Sequence, residues 1–149
     1  MVTLLIVNTD NVAAKTLEPL FSSSKIAELA YVPPQGVKIR SFPTLQDMIN
    51  EKKRLVIFIT STFDYSVAPY LLNEWDYVWE TAWENKDPQD WSCNLDRPTA
   101  LRDDTARAEE EGIVPLFNWF FYTDMGLGIL KPDVDIVSQS FTFFQPSVE

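Results

Sequence analysis

Five polar residues stand where this chain could do chemistry: Asn8, Asp64, Glu80, Arg97 and Asn118. Glu80 follows Val78-Trp79 in a short aromatic run, where a carboxylate faces either a pocket or solvent. In a pocket, burial raises a carboxyl pKa and makes an acid or base of it. Arg97 carries a planar fork of donors that suits a phosphate. Its competing role is an ion pair with Asp90, Asp96 or Glu80. Asn8 either lines a pocket or satisfies loop backbone groups. Asp64 and Asp10 have the setting of ordinary turn residues.

The chain contains no histidine, the side chain most often used for proton transfer near neutral pH. Asp, Glu, Lys or Tyr would have to replace it with shifted pKa values. There is one cysteine, Cys93, so no internal disulfide forms and no Cys/His zinc cluster is available. No cofactor or metal is expected. The net charge of −10 argues against a nucleic-acid partner or an anionic bilayer held by bulk charge. A small phosphorylated ligand held locally stays compatible with it. Trp75, Trp79, Trp83, Trp91 and Trp119 could stack on a sugar or inositol ring, or fill core and loops.

The elements that must position these groups start from Arg54–Thr60. This short apolar run is rich in β-branched residues and predicts a buried strand. Before it, Leu45, Met48 and Ile49 have helix spacing. Thr44 stands as N-cap, Asp47 three residues later, and Lys52-Lys53 at the end. A strand that is apolar on both faces belongs in a parallel sheet covered by helices.

Val2–Asn8 predicts another buried strand, followed by a polar turn. A helical region over Ala13–Ala30 breaks near Ser22-Ser23-Ser24, and Pro19 lies near its beginning. Tyr31–Pro43 is loop. Pro69–Trp75 predicts a short helical turn or surface stretch, and Asp76–Thr81 a third strand. A long loop over Trp83–Pro98 leads to a charged helix over Leu101–Glu111, with Gly112 able to end it. Ile113–Phe117 is the fourth strand, continued or left at Asn118–Tyr122. Ser140–Phe144 could be a β segment.

This order gives an α/β fold of about four parallel strands with covering helices. An eight-stranded barrel needs about 250 residues, so the chain could hold half of one or a small open sheet. One domain is the default count for 149 residues. In a β/α barrel the site forms at the C-terminal ends of the strands. That rule selects Asn8, Asp10, Thr60, Asp64, Glu80 and Asn118. No apolar run reaches the length of a membrane span, and no signal peptide is legible.

Several ordered stretches carry a family resemblance. They are Val2–Asn8, Phe42–Ile49, Arg54–Phe58, Val67–Leu72, Val78–Thr81 and Cys93–Pro98. Together they resemble the middle and later part of the fungal PLC-like phosphodiesterases, relatives of phosphatidylinositol-specific phospholipase C. The resemblance covers about residues 1–135. It implies a partial TIM barrel and a metal-independent phosphodiester-cleaving site. It also implies a phosphoinositide or similar headgroup diester as ligand, and a secreted parent.

In that family two histidines act as general base and acid, in the first barrel strands and their loops. The matched segment lies after them. The family also commonly places Asn-His after the strand that corresponds to Val114–Phe117, where this chain has Asn118-Trp119. The expectation is a family member that is truncated and inactive as an isolated chain. The alternative is a non-catalytic binding module, or a half-barrel that pairs with a second copy to cover its edges and apolar faces.

Overall fold

A computed structural model describes residues 1–87 and 92–139. Two compact units divide the chain: Met1–Val78 with Ala108–Val114, and Trp79–Arg107 with Pro115–Glu149. The fold is mixed α/β.

The first unit is built on three parallel strands in the order β1-β2-β3: β1 (Val2–Ile6), β2 (Leu55–Ile59) and β3 (Leu71–Asn73). Val2 lies opposite Leu55 and Ile6 opposite Ile59, while Ile57 lies opposite Leu71. β2 sits in the middle because its side chains are apolar on both faces, and Val56, Phe58, Ile57 and Ile59 are all buried. On one face Ile57, Ile59 and Leu71 pack with Ala30, Ala68 and Tyr70. Leu17 and Phe21 of helix α1 (Ala14–Ser23) close that cluster. On the other face Phe58 meets Tyr77 at 5.8 Å between ring centroids, Tyr77 meets Phe42, and Phe42 meets Tyr31.

Helix α2 (Ile26–Leu29) follows the expected break after the serines. Pro19 sits six residues into α1, deeper than the sequence suggested. It is tolerated because Pro19 and Lys15 are exposed, so the carbonyl left without its N–H partner faces water. Helix α3 (Leu45–Asn50) carries the full capping box. The Thr44 hydroxyl accepts from the Asp47 N–H at 3.2 Å, and the Asp47 carboxylate accepts from the Thr44 N–H at 3.3 Å.

Most of Pro69–Trp75 is buried, and its middle is strand rather than helical turn or surface stretch. Its core, Leu71–Asn73, is the wholly buried strand β3, followed by a 3-10 turn over Glu74–Asp76. Three residues are too few to show a period, and pairing with β2 decides their state.

β4 (Val78–Glu80) and β5 (Val114–Leu116) form a separate pair. Helix α4 (Thr105–Glu110) ends at Gly112, which has the left-handed φ of +73°. In the second unit β6 (Tyr122–Asp124) and β7 (Leu130–Pro132) make an antiparallel hairpin, not a continued parallel strand. Gly126 and Gly128, both at positive φ, lie in the turn of that hairpin. Helix α5 (Val134–Gln139) follows. Ser140–Phe144, like Asp90 and Trp91, lies outside the described residues.

Candidate functional site

Glu80 closes β4, a strand whose three residues are all buried. Its backbone is bound to that of Arg97. The Glu80 N–H donates to the Arg97 carbonyl at 2.8 Å, and the Glu80 carbonyl accepts from Asp96 and Arg97 N–H groups at 2.8 and 3.1 Å. This antiparallel bridge places the two side chains together. The Arg97 guanidinium donates through Nη2 to Glu80 Oε2. The Glu80 side chain is 5% exposed and the Arg97 side chain 35%.

Asn118 joins the pair just past β5. Its Nδ2 donates to the same Glu80 Oε2 at 3.2 Å and to the Thr81 carbonyl at 2.9 Å. Its backbone N–H donates to the Thr81 hydroxyl, also at 2.9 Å. Three of the sequence candidates, Glu80, Arg97 and Asn118, therefore meet in one cluster in the second unit. A carboxylate already engaged by a guanidinium is a poor free base. What it does well is hold the arginine in place, on a side chain that is about a third exposed.

Asn8 and Asp64 lie in the first unit. The Asn8 amide is engaged by the loops at the ends of β1 and β2: Nδ2 donates to Thr62 Oγ1 at 2.6 Å and to the Val12 carbonyl at 2.9 Å, and Oδ1 accepts from the Val12 N–H at 3.0 Å. Asp64 accepts from the Ser66 hydroxyl at 2.6 Å and the Ser66 N–H at 3.0 Å. Those bonds hold its carboxyl below the usual range. Both arrangements are what loop-satisfying side chains make.

Sequence reasoning passed over four buried polar residues, Asn73, Glu74, Thr81 and Asn85. Thr81 orients Asn118, and its only signal was its place next to Glu80. Asn85 donates to the Phe120 and Ala82 carbonyls at 3.2 Å. Glu74 is wholly buried in the first unit. That unit also holds a cavity of about 680 Å³, with walls that include Pro33, Pro34, Tyr65, Leu72, Asp76 and Tyr77. Burial pushes the Tyr77 phenol up to about 12. None of the five candidates lines this cavity. Trp79 packs on Phe117 at 5.9 Å, and the Trp75 indole donates to the Thr60 carbonyl at 2.9 Å, so both serve packing. Cys93 is free and exposed. Among the described residues, no group of three or more His, Cys, Asp or Glu side chains is placed to hold a metal ion. Among them, too, no helix is long and apolar enough to cross a membrane.

A buried strand end, an arginine–carboxylate pair and a parallel α/β sheet are compatible with many chemistries. Comparison with known proteins narrows them. The PI-PLC X family model, described as PI-PLC X 1, matches residues 1–141, and the chain belongs to this family. It is 34% identical over 105 residues to "PI-PLC X domain-containing protein 1" of the fungus Arthroderma benhamiae, over 70% of this chain. It is 32% identical over 108 residues, 72% of this chain, to an "Uncharacterized secreted protein" of the same fungus. The chain spans 34% and 24% of the lengths of these two relatives. No solved structure matches it.

Proposed function

We propose that these 149 residues form an incomplete PLC-like phosphodiesterase barrel domain that binds a lipid-headgroup phosphodiester without cleaving it. The observation that carries this reading is a family match over residues 1–141 in a chain with no histidine. The resemblance assigns acid and base to histidines, and no residue here can take either role by correspondence. The Glu80–Arg97–Asn118 cluster supports binding: Glu80 holds the guanidinium, Asn118 holds Glu80, and the Arg97 side chain is about a third exposed, where an anion can reach it. The secreted relative supports a secreted setting for the parent protein.

The test is an assay of the purified chain on phosphatidylinositol micelles and on a soluble inositol phosphodiester. The expected result is no headgroup release above the blank, with calorimetric binding of the soluble ligand. Arg97→Lys keeps the charge and loses the fork, and should weaken binding about tenfold. Release of headgroup by the purified chain would overturn the inactive assignment. Unchanged binding by Arg97→Lys would overturn the site.

A second reading is favoured by β1. Among the described strands only β2 pairs with it, and Val2 and Leu4 are exposed. An edge of this kind can be covered by a second copy of the chain.

A further inference from the structure

The β6–β7 hairpin of the second unit ends in a tip with no charged residue between Asp124 and Lys131. Leu127 is fully exposed, and Met125 and Ile129 are each 61% exposed. Leu127 holds a left-handed φ of +57° between two glycines, a conformation disfavoured for a side chain of its size. A Cβ built on Gly126 or Gly128 would meet nothing within 4 Å, so the turn is open around both. Nearer the strand entry, Phe120 and Trp83 are about half exposed. Trp83 and Phe120 stack around Tyr122, with centroid separations of 6.1 and 6.5 Å.

This order has a physical meaning. An aliphatic tip with an aromatic collar behind it matches the depth profile of a lipid surface, with acyl chains inside and aromatic rings at headgroup level. Met125, Leu127 and Ile129 are all exposed on one short turn, and a medium that surrounds the turn can cover all three apolar side chains. A second copy fits poorly, because a narrow turn offers far less than the roughly 800 Å² per partner of a stable interface. The net charge of −10 selects an uncharged surface over an anionic one.

We propose that the β6–β7 hairpin is an interfacial anchor, which inserts Met125, Leu127 and Ile129 into a zwitterionic lipid surface. Asn85 ties this anchor to the segment that follows Glu80. Its carbonyl accepts from the Tyr122 N–H at 2.9 Å, and Lys86 pairs with Asp124 at 3.5 Å. Anchoring would therefore hold the Glu80–Arg97–Asn118 cluster at the interface. The anchor stands on the hairpin alone and does not need the phosphodiester reading to hold.

The test is co-sedimentation of the full chain with pure phosphatidylcholine vesicles, which carry no inositol lipid. The chain should sediment with vesicles at millimolar lipid. Leu127→Asn keeps a residue that tolerates the left-handed turn, and should lower the partition coefficient about tenfold or more. Leu127→Trp should keep binding and shift its emission to the blue when vesicles are added. A wild-type chain that stays in the supernatant would overturn the anchor, as would Leu127→Asn that sediments undiminished. Leu127→Trp that neither sediments nor shifts would also overturn it. So would association between copies that Leu127→Asn abolishes without any vesicle binding. Headgroup binding that survives any of these failures would leave the site reading in place.

Discussion

The Glu80–Arg97 pair is unequal in its surroundings, and that inequality sets what each substitution does. Removing Arg97 leaves a nearly buried carboxylate with Asn118 as its remaining side-chain donor among the bonds described above. Arg97→Ala should therefore cost about 3 kcal/mol, in the range for stranding a buried charge. Glu80→Gln leaves an arginine whose side chain is a third exposed and can turn to water, so it should cost about 1 kcal/mol. Urea denaturation of both variants measures the difference. Equal costs would mean that the carboxylate does not depend on the arginine. The sequence pointed to both residues through their types and places. It left the choice between phosphate and ion pair open, because the bridge that joins Glu80 to Arg97 is made across a 17-residue separation. Asn8 and Asp64 were selected by the same strand-end rule, and that rule cannot tell a side chain facing a ligand from one that ties its own loop.

At the scale of elements, local signals with several agreeing parts were the legible ones. Thr44, Asp47, Leu45 and Met48 together announced α3, and the structure adds the reciprocal bonds. Thr44→Ala should destabilise the chain by about 1 kcal/mol, read as a shift of the urea midpoint with unchanged slope. A shift near zero would mean that α3 is held by Met48 burial alone. β2 was legible for the same reason, since a continuous apolar run has few other places to go. β3 was not, because its identity comes from Ile57 and Phe58 beside it. The hairpin was missed because its strands are three residues each, too short to show a period.

At the scale of the molecule, exposed apolar surface is the dominant property. Val2 and Leu4 on the open edge strand, Leu20 on α1 and Leu45 on α3 all face outward in the first unit. A chain that spans a third or less of its relatives' lengths has room for covering elements in proteins of that size. The purified chain should associate as concentration rises, and Leu4→Lys should reduce this by placing a charge on the edge. Sedimentation velocity across a concentration series measures it. A strict monomer with a sharp thermal transition would sink the idea. The element order already called for exposed edges and apolar faces, but which side chains stand there, such as Val2 and Leu4, is set by the pairing of β1 with β2 and by the packing around it. Family membership was legible, because it rests on ordered stretches spread along most of the chain.

The pairing of β1 with β2 also sets a timetable. Val2 pairs with Leu55, and everything between them is made before that contact can form. At about 5–20 residues per second, β1 leaves the ribosome and waits roughly 3–10 s for its partner. Helices α1 and α2 emerge during that wait, with no sheet yet to receive Leu17 and Phe21. The nascent chain therefore spends those seconds with β1 unpaired, when a chaperone or another nascent chain can reach it.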